Sequence, residues 1–450
     1  MEQRHIPVNA YCVLPGRLIP SPSMKRFLGI SSFQILAMFR RGLFFSYLTI
    51  YLRHYLGLSV TATTLFTTLP MIVNVLAQRY VWGVISDRLQ KRRLLIVCGE
   101  LLAGAGTILL FYAHKLPADA ISAGWVVIGG LAVIEIFWSM SNIGWSALIS
   151  DVYRQAERSR IMGRLESIGG LGRIAGVLCG GLLYDRMGTA LPGWGFFEGS
   201  LFWISGLVMF LSVFPMLLVP EGGISPEEKL AAGTAEGSGT LPAVFSIFIL
   251  AMTLIHFGRN AVSIIIPQYL SLGTGLALPA ITLSHVLNLR SAGLILSGFF
   301  AGRLCRTIGE RRTLVFFSAV AVLTLLIIGV TVHLAWICLA SFLMGVSEAL
   351  VIASSYGLAA SYIPPEKRGT CFALFNATLF LSWGVGATLI SGPVTDGFVA
   401  LGVSESHAYM ASFMGCATVV LAGILVLFRL FRMEKTPVPE CHPSKKQPGF

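Results

Sequence analysis

The sequence predicts an all-α membrane protein, with twelve transmembrane helices in two pseudo-symmetric six-helix bundles. Three observations carry that expectation. Hydrophobic residues make up 55% of the 450 and charged residues only 12%, with a mean hydropathy of +0.77, whereas a soluble domain carries about 25% charged residues. Apolar stretches close to the ~20 residues that a crossing requires begin near residues 27, 60, 94, 123, 162, 194, 242, 277, 313, 334, 369 and 407. The first half also recurs: Phe39, Arg41, Tyr51 and Leu52 reappear as Phe257, Arg259, Tyr269 and Leu270, about 218 residues on, which is the mark of two fused halves.

This order divides the chain into an N-terminal arm (1–26), a first six-helix bundle (27–219), a linker (220–241), a second bundle (242–431) and a tail (432–450). The arm carries Pro7, Pro15, Pro20 and Pro22 and lacks the apolar core of a signal peptide, so it is expected to be disordered; Met24 is a second candidate start. The linker, rich in Gly, Ala, Ser and Glu, reads as flexible.

Orientation follows from the basic residues. With both termini inside, 24 of the 33 Lys and Arg fall in the cytoplasmic arm, loops and tail. Three fall outside (Arg53, Lys115, Arg186) and six within the membrane (Arg40, Arg41, Arg79, Arg173, Arg259, Arg290), a strong positive-inside bias. The net charge of +12 is spread over short loops, which argues against nucleic-acid binding. The eight cysteines have no CxxC spacing and read as packing residues, and neither a metal-ligand set nor a cofactor motif is present. With no nucleophile and base pair and no P-loop, an enzyme is not expected.

Two loop motifs are duplicated. Gly83, Asp87, Arg88, Lys91, Arg92 and Arg93 follow the second span, and Gly302, Arg306, Gly309, Glu310, Arg311 and Arg312 follow the eighth. This pattern resembles the signature of the major facilitator superfamily: a Gly, an Asp four residues on, a second Gly three further, then basic residues. The first copy has Gln90 at the second Gly, and the second copy has Arg306 at the acid. The resemblance implies a conformational latch made by Gly83, Asp87, Arg88, Arg92, Gly302, Gly309 and Arg311, in which glycine lets helices approach and the acid bonds neighbouring helix ends. A further pair of loops, Asp151 to Arg160 and Pro364 to Gly369, fits the same half-repeat.

Span five carries a stripe, Gly172, Gly176, Gly180 and Gly181, similar to the antiporter motif of the superfamily's drug exporters except that Val177 replaces its Pro. Helix packing is the preferred reading. The runs FRRGLFFSYLTIYLRHYLG and WGVISDRLQKRRLL also resemble facilitator permeases of magnetosome gene clusters, which are thought to carry iron.

In the superfamily fold, helices one, four, seven and ten line the central cavity. Here each carries a charge near its middle: Arg41, Glu135, Arg259 and Glu348. An intramembrane arginine costs roughly 2.5 to 3.5 kcal/mol on translocon scales, so it points to function by default. Two internal ion pairs, Arg41 with Glu135 and Arg259 with Glu348, are the bland reading. The functional one is an anion clamp of Arg41 and Arg259, joined by Arg40, Arg290 and Asn260, because guanidinium forks onto carboxylate or phosphate. Arginines on helices one and seven grip phosphate in the superfamily's organophosphate branch.

Glu135 and Glu348 would then trade the arginines with solute and carry protons, with His256 and His285 as relays. Arg173 and Arg290 widen the positive surface or pair with Glu166 and Glu198, and Asn142, Asn288 and Asn376 add neutral hydrogen bonds. Arg40 lies about 100° round the helix from Arg41, so only one faces the cavity squarely.

The resulting expectation is a monomeric secondary transporter for a small anion, moving an organic acid, a phosphate compound or an anionic metal chelate by proton coupling or exchange. It would lie in the inner membrane or one derived from it, such as the magnetosome membrane, with lipid, solute and proton as partners. A magnetosome iron transporter, a drug/proton antiporter and a non-transporting scaffold or sensor are the competing readings.

Overall fold

The computed structural model describes residues 11–14, 17–20, 22–153, 155–187, 192–223, 243–363 and 368–434. Most of the linker, Pro364 to Lys367, Arg154 and the tail beyond 434 lie outside the described residues. Among the described residues, nine helices are long and apolar enough to cross a membrane. In chain order with their partners they are α1 (Met24–Tyr55), α2 (Val60–Leu89), α3 (Arg92–Ala113), α4 (Ala120–Ile149), α5 (Arg164–Tyr184), α6 (Ser200–Met216), α7 (Val244–Ser271), α8 (Ala280–Ile308), α9 (Glu310–Val330), α10 (Leu334–Tyr362), α11 (Cys371–Ser382 with Ala387–Ala400) and α12 (Glu405–Met433).

Three of the twelve are not plain apolar spans. The α11 pieces form one crossing bent by 48°; α6 has only 17 residues; and α8 carries Ser284, His285, Asn288 and Arg290. The sixth crossing starts at Ser200 rather than near 194, because Trp194–Phe197 forms a separate single turn between glycines at positive φ.

Helix starts follow ordinary capping chemistry. The Ser59 hydroxyl accepts from the Ala62 amide (3.1 Å) ahead of α2, and Asp119 accepts from the Ser122 amide (2.7 Å) ahead of α4. Large apolar side chains such as Leu109, Phe214, Phe316 and Leu425 stay exposed around the outside, as a lipid-facing surface requires. In the described part of the N-terminal arm, Tyr11–Leu14 pairs antiparallel with Arg17–Pro20, and helix begins at Pro22.

Within the first half, the glycine stripe of α5 packs on α1 at backbone distance. A Cβ on Gly172 or Gly176 would strike the carbonyl of Ile35 or Phe39, and one on Gly42 would strike the carbonyl of Arg173. The second half has a similar crossing, where Gly293 of α8 meets the Phe342 carbonyl and Gly345 of α10 meets the Arg290 carbonyl. Small residues permit these approaches, and both crossings lie where the intramembrane charges are.

The halves are tied to each other at the end of the bundle away from the chain termini. Gln268 of α7 is the centre: its Nε2 donates to Thr49 (2.5 Å) and Thr63 (2.8 Å), and its Oε1 accepts from the Tyr409 hydroxyl (2.8 Å). Arg53 reaches Glu405 at 2.8 Å, and Thr64 and Thr68 both bond Thr388. At the other end, four ion pairs lie inside one half or the other. Arg92 meets Asp87 (3.7 Å) and Asp151 (3.2 Å), Arg93 meets Glu221 (3.1 Å), and Arg311 meets Glu434 (2.6 Å).

Gly302 and Gly309 have nothing within 4 Å of where a Cβ would stand, and a Cβ on Gly83 would meet only Gln78 of its own helix, so the helix approach expected at these glycines is not made here. Gln90 caps its helix at φ +52, a left-handed conformation that explains why the superfamily signature has glycine there. Its amide side chain bonds the Asp87 carbonyl (3.0 Å) and accepts from Arg92 (3.1 Å).

Candidate functional site

The close α1–α5 crossing sets Arg41 beside Arg173. Both side chains are exposed although they lie midway along their helices, as is Glu166 on α5, whereas Arg40 is 6% exposed. Trp138 of α4 divides the two adjacent arginines, its ring 4.0 Å from the Arg40 guanidinium and 4.8 Å from that of Arg41. Such contacts hold a cation against an aromatic face at about 0.5 to 2 kcal/mol. One arginine is thus exposed and the other buried, in keeping with their 100° separation.

Arg173 shares its electrostatic surroundings with Arg41 and Glu166 of its own half and with Arg290 and Glu348 of the other. Charges of both halves therefore lie around Arg173. Arg290 is turned by Trp383 of α11, 5.0 Å from its guanidinium, and donates to Ser263 at 2.8 Å. Trp138 and Trp383 thus each cover an arginine, one in each half.

The ion pairs differ from those expected. Glu348 is held by Arg290, whose Nε and Nη2 lie 3.1 and 2.9 Å from Oε2, and not by Arg259. Arg290 reaches it because its own carbonyl sits against Gly345, three residues from Glu348. In the first half the corresponding role falls to a neutral residue: Asn74 donates to Glu135 at 2.5 Å, in place of the expected pairing with Arg41.

Arg259 is 0% exposed, and its three guanidinium nitrogens have no hydrogen-bond partner. Glu348 and Arg290 are in its electrostatic surroundings. Asn260 is also buried, tying α7 to α11 through Ser382 at 2.7 Å, immediately before the helix tightens into a 3-10 turn over Ala261–Ser263. Both residues sit away from the open surface.

His256 is fully buried with Nδ1 3.2 Å from the Thr378 hydroxyl, whereas His285 is exposed. Glu198 lies after the Trp194–Phe197 turn, at the far end, and does not join Arg173 or Arg290. Asn288 bridges the halves by donating to the Ile174 carbonyl (3.2 Å), and Asn376 accepts from Tyr356.

One acid went unread in the sequence. Glu100 of α3 is 2% exposed and accepts from Ser141 (2.7 Å) and Ser212 (3.5 Å), with Arg40 in its electrostatic surroundings. A lone carboxylate in an apolar span was the available signal.

The Major Facilitator Superfamily model matches residues 30–248 and again residues 248–449. The tetracycline resistance protein, class G, of Vibrio anguillarum is 29% identical over 150 residues, which is 33% of this chain and 33% of that protein; the match spans about a third of that relative. Among solved structures, a bacterial homolog of the human lysosomal transporter Spinster, inward-facing and unoccupied, superposes with a TM-score of 0.67 at 14% identity, covering 93% of this chain and 99% of that one. The nucleoside transporter NupG gives 0.66 at 12% identity over 92% and 100%. A peptide transporter in complex with sulfate gives 0.64 at 15% identity over 92% and 94%. At these identities the likeness is one of fold.

Proposed function

The chain belongs to the major facilitator superfamily, and from that premise we propose that it is a secondary transporter for a small anionic solute, gripped between its halves by Arg41, Arg173 and Arg290. The observation that carries this reading is the pair of exposed arginines, Arg41 and Arg173, brought together in mid-bundle by the Gly42 crossing, with Arg290 of the other half in the electrostatic surroundings of Arg173. Guanidinium stays charged at any physiological pH and forks onto carboxylate or phosphate oxygens. Bare cations are repelled by that surface, so iron would enter as an anionic chelate.

Solute and acid compete for the same grip. An anion landing on Arg290 displaces Glu348, which then either takes a proton or moves to Arg259, whose buried nitrogens lack a partner. Proton coupling and exchange both follow from that competition. Arg259 acts here as a second claimant for the carboxylate, and Glu135, held by Asn74, as its counterpart in the first half.

The positive-inside rule assigns the termini to the cytoplasm, so the bundle, tied at its far end, is inward-facing. The inner membrane or a membrane derived from it, and a monomer, complete this reading. The tetracycline resistance relative favours a second one, drug export, which predicts that apolar cations compete for the site.

Counterflow in proteoliposomes tests the proposal. Labelled inorganic phosphate, citrate, ferric citrate and tetraphenylphosphonium are offered to wild type and Arg41→Gln. Anion flux lost in the variant supports the clamp; flux of tetraphenylphosphonium alone supports drug export, and no flux with any probe supports a scaffold.

A further inference from the structure

Two aspartates reach across the interface in opposite directions. Asp396, near the end of α11 in the second half, accepts from the backbone amides of Val60 (Oδ1, 2.9 Å) and Thr61 (Oδ2, 2.8 Å), the first two residues of α2 in the first half. Asp185, just past α5 in the first half, accepts from the backbone amide of Ala280 (3.2 Å), the first residue of α8 in the second half. Helices two and eight are equivalents in the two halves, as are five and eleven. Each acid therefore caps the same structural position in the opposite bundle.

We propose that Asp185 and Asp396 form a reciprocal pair of latches that holds the far end shut, and that releasing them is a step in opening the solute path to that side. The first turn of a helix presents unbonded amides and partial positive charge, so a carboxylate is its natural partner. These caps differ from ordinary ones in spanning two rigid bodies: they exist only while the halves are closed at this end. Ser59 already caps α2 from within its own half through Ala62, so Asp396 is not needed to start that helix.

The seams beside the two caps fit the same role. On α2 and α11, a Cβ on Gly392 would press on Thr61 and one on Gly384 would press on Thr68, so the helices meet closely where Asp396 binds. On α5 and α8, a Cβ on Gly181 would meet the Ala280 carbonyl at 2.9 Å, and the Tyr47 hydroxyl lies 3.5 Å from the same carbonyl. Moving either seam apart by a few ångströms breaks its cap outright, because hydrogen bonds do not stretch.

The test measures the distance between the halves and needs no substrate. Spin labels at Leu116→Cys and Leu401→Cys, 84% and 81% exposed in far-end loops of opposite halves, report the separation in liposomes on a background with the native cysteines replaced. Asp396→Ala and Asp185→Ala are each expected to raise the ratio of long-distance to short-distance populations about fivefold, and the double variant to multiply the two effects. Asp396→Asn, which retains one acceptor oxygen, falls between. Ser59→Ala, which removes a cap within one half, leaves the distribution unchanged. Distributions in the two alanine variants and Asp396→Asn that match the parent would overturn the proposal, as would an equal shift in Ser59→Ala.

Discussion

Arg290 grips Glu348 through two nitrogens on a single carboxylate oxygen, at 3.1 and 2.9 Å, while Arg259 lies buried with its guanidinium unbonded. The acid of helix ten is therefore bound by helix eight and has a second cation waiting on helix seven.

Removing Arg290 should be costly, since it takes both hydrogen bonds from a carboxylate in low dielectric and leaves it only Arg259, which does not bond it here. Arg290→Ala is expected to destabilise the protein by about 3 to 5 kcal/mol, with much of the loss recovered in Arg290→Ala/Glu348→Gln. Thermal unfolding of the purified protein across this double-mutant cycle is the check. Equal losses in the single and double variants would mean that the pair carries no such strain.

The α1–α5 crossing depends on Gly176 because its neighbour there is the Phe39 carbonyl, which cannot rotate away. Gly176→Val is expected to cost at least the ~1 to 3 kcal/mol of ordinary overpacking and to separate Arg41 from Arg173. Lower thermal stability together with weaker anion binding is the expected result.

Gln268, 0% exposed, bonds Thr49 and Thr63 across the interface and Tyr409 within its own half. Gln268→Leu keeps the volume but removes the acceptor of the Tyr409 hydroxyl, leaving it only Arg53 as a partner, at about 1 to 3 kcal/mol. Tyr409→Phe in that background should then cost little more, and chemical unfolding of both variants measures it.

Asp119 gives a pH signature. Its carboxylate sits below its ordinary value because the Ser122 backbone amide, and then its hydroxyl, donate to the charged form. A depressed folded pKa contributes stability that is present above the unfolded value and lost as pH falls through the folded one. The stability difference between wild type and Asp119→Ala should therefore be flat near neutrality and shrink only under strong acid, as thermal scans at stepped pH would record.

How much of this was legible in the sequence depended on the kind of information. Spans could be read because a bilayer demands about 20 apolar residues in a row, and the structure starts helices at 60, 92, 120, 334 and 405 where runs near 60, 94, 123, 334 and 407 were expected. The start expected near 194 fell on a one-turn helix whose flanking glycines break the run. That charges lay at the midplane was also legible. Which arginine meets Glu348 was not, because the choice turns on the close approach of Gly345 to the Arg290 backbone, and backbone proximity leaves no mark on a single chain. Asp185 and Asp396 were passed over for a different reason: counting loop charges for orientation treats an aspartate as neutral information, whereas its partner is a helix end in the other half. Trp138 likewise looked like one more apolar residue until it was found between two guanidiniums.

The central claim, that the arginines of the interface bind an anion, is tested most directly by ligand-induced thermal stabilisation of the purified protein. Inorganic phosphate, citrate, ferric citrate and tetraphenylphosphonium are each titrated into wild type and into Arg41→Gln/Arg173→Gln. The prediction is that at least one anion raises the Tm of wild type by several degrees, that the double variant loses this rise, and that the cation raises neither. An anion-induced rise of equal size in both proteins, or stabilisation by the cation alone, would contradict it.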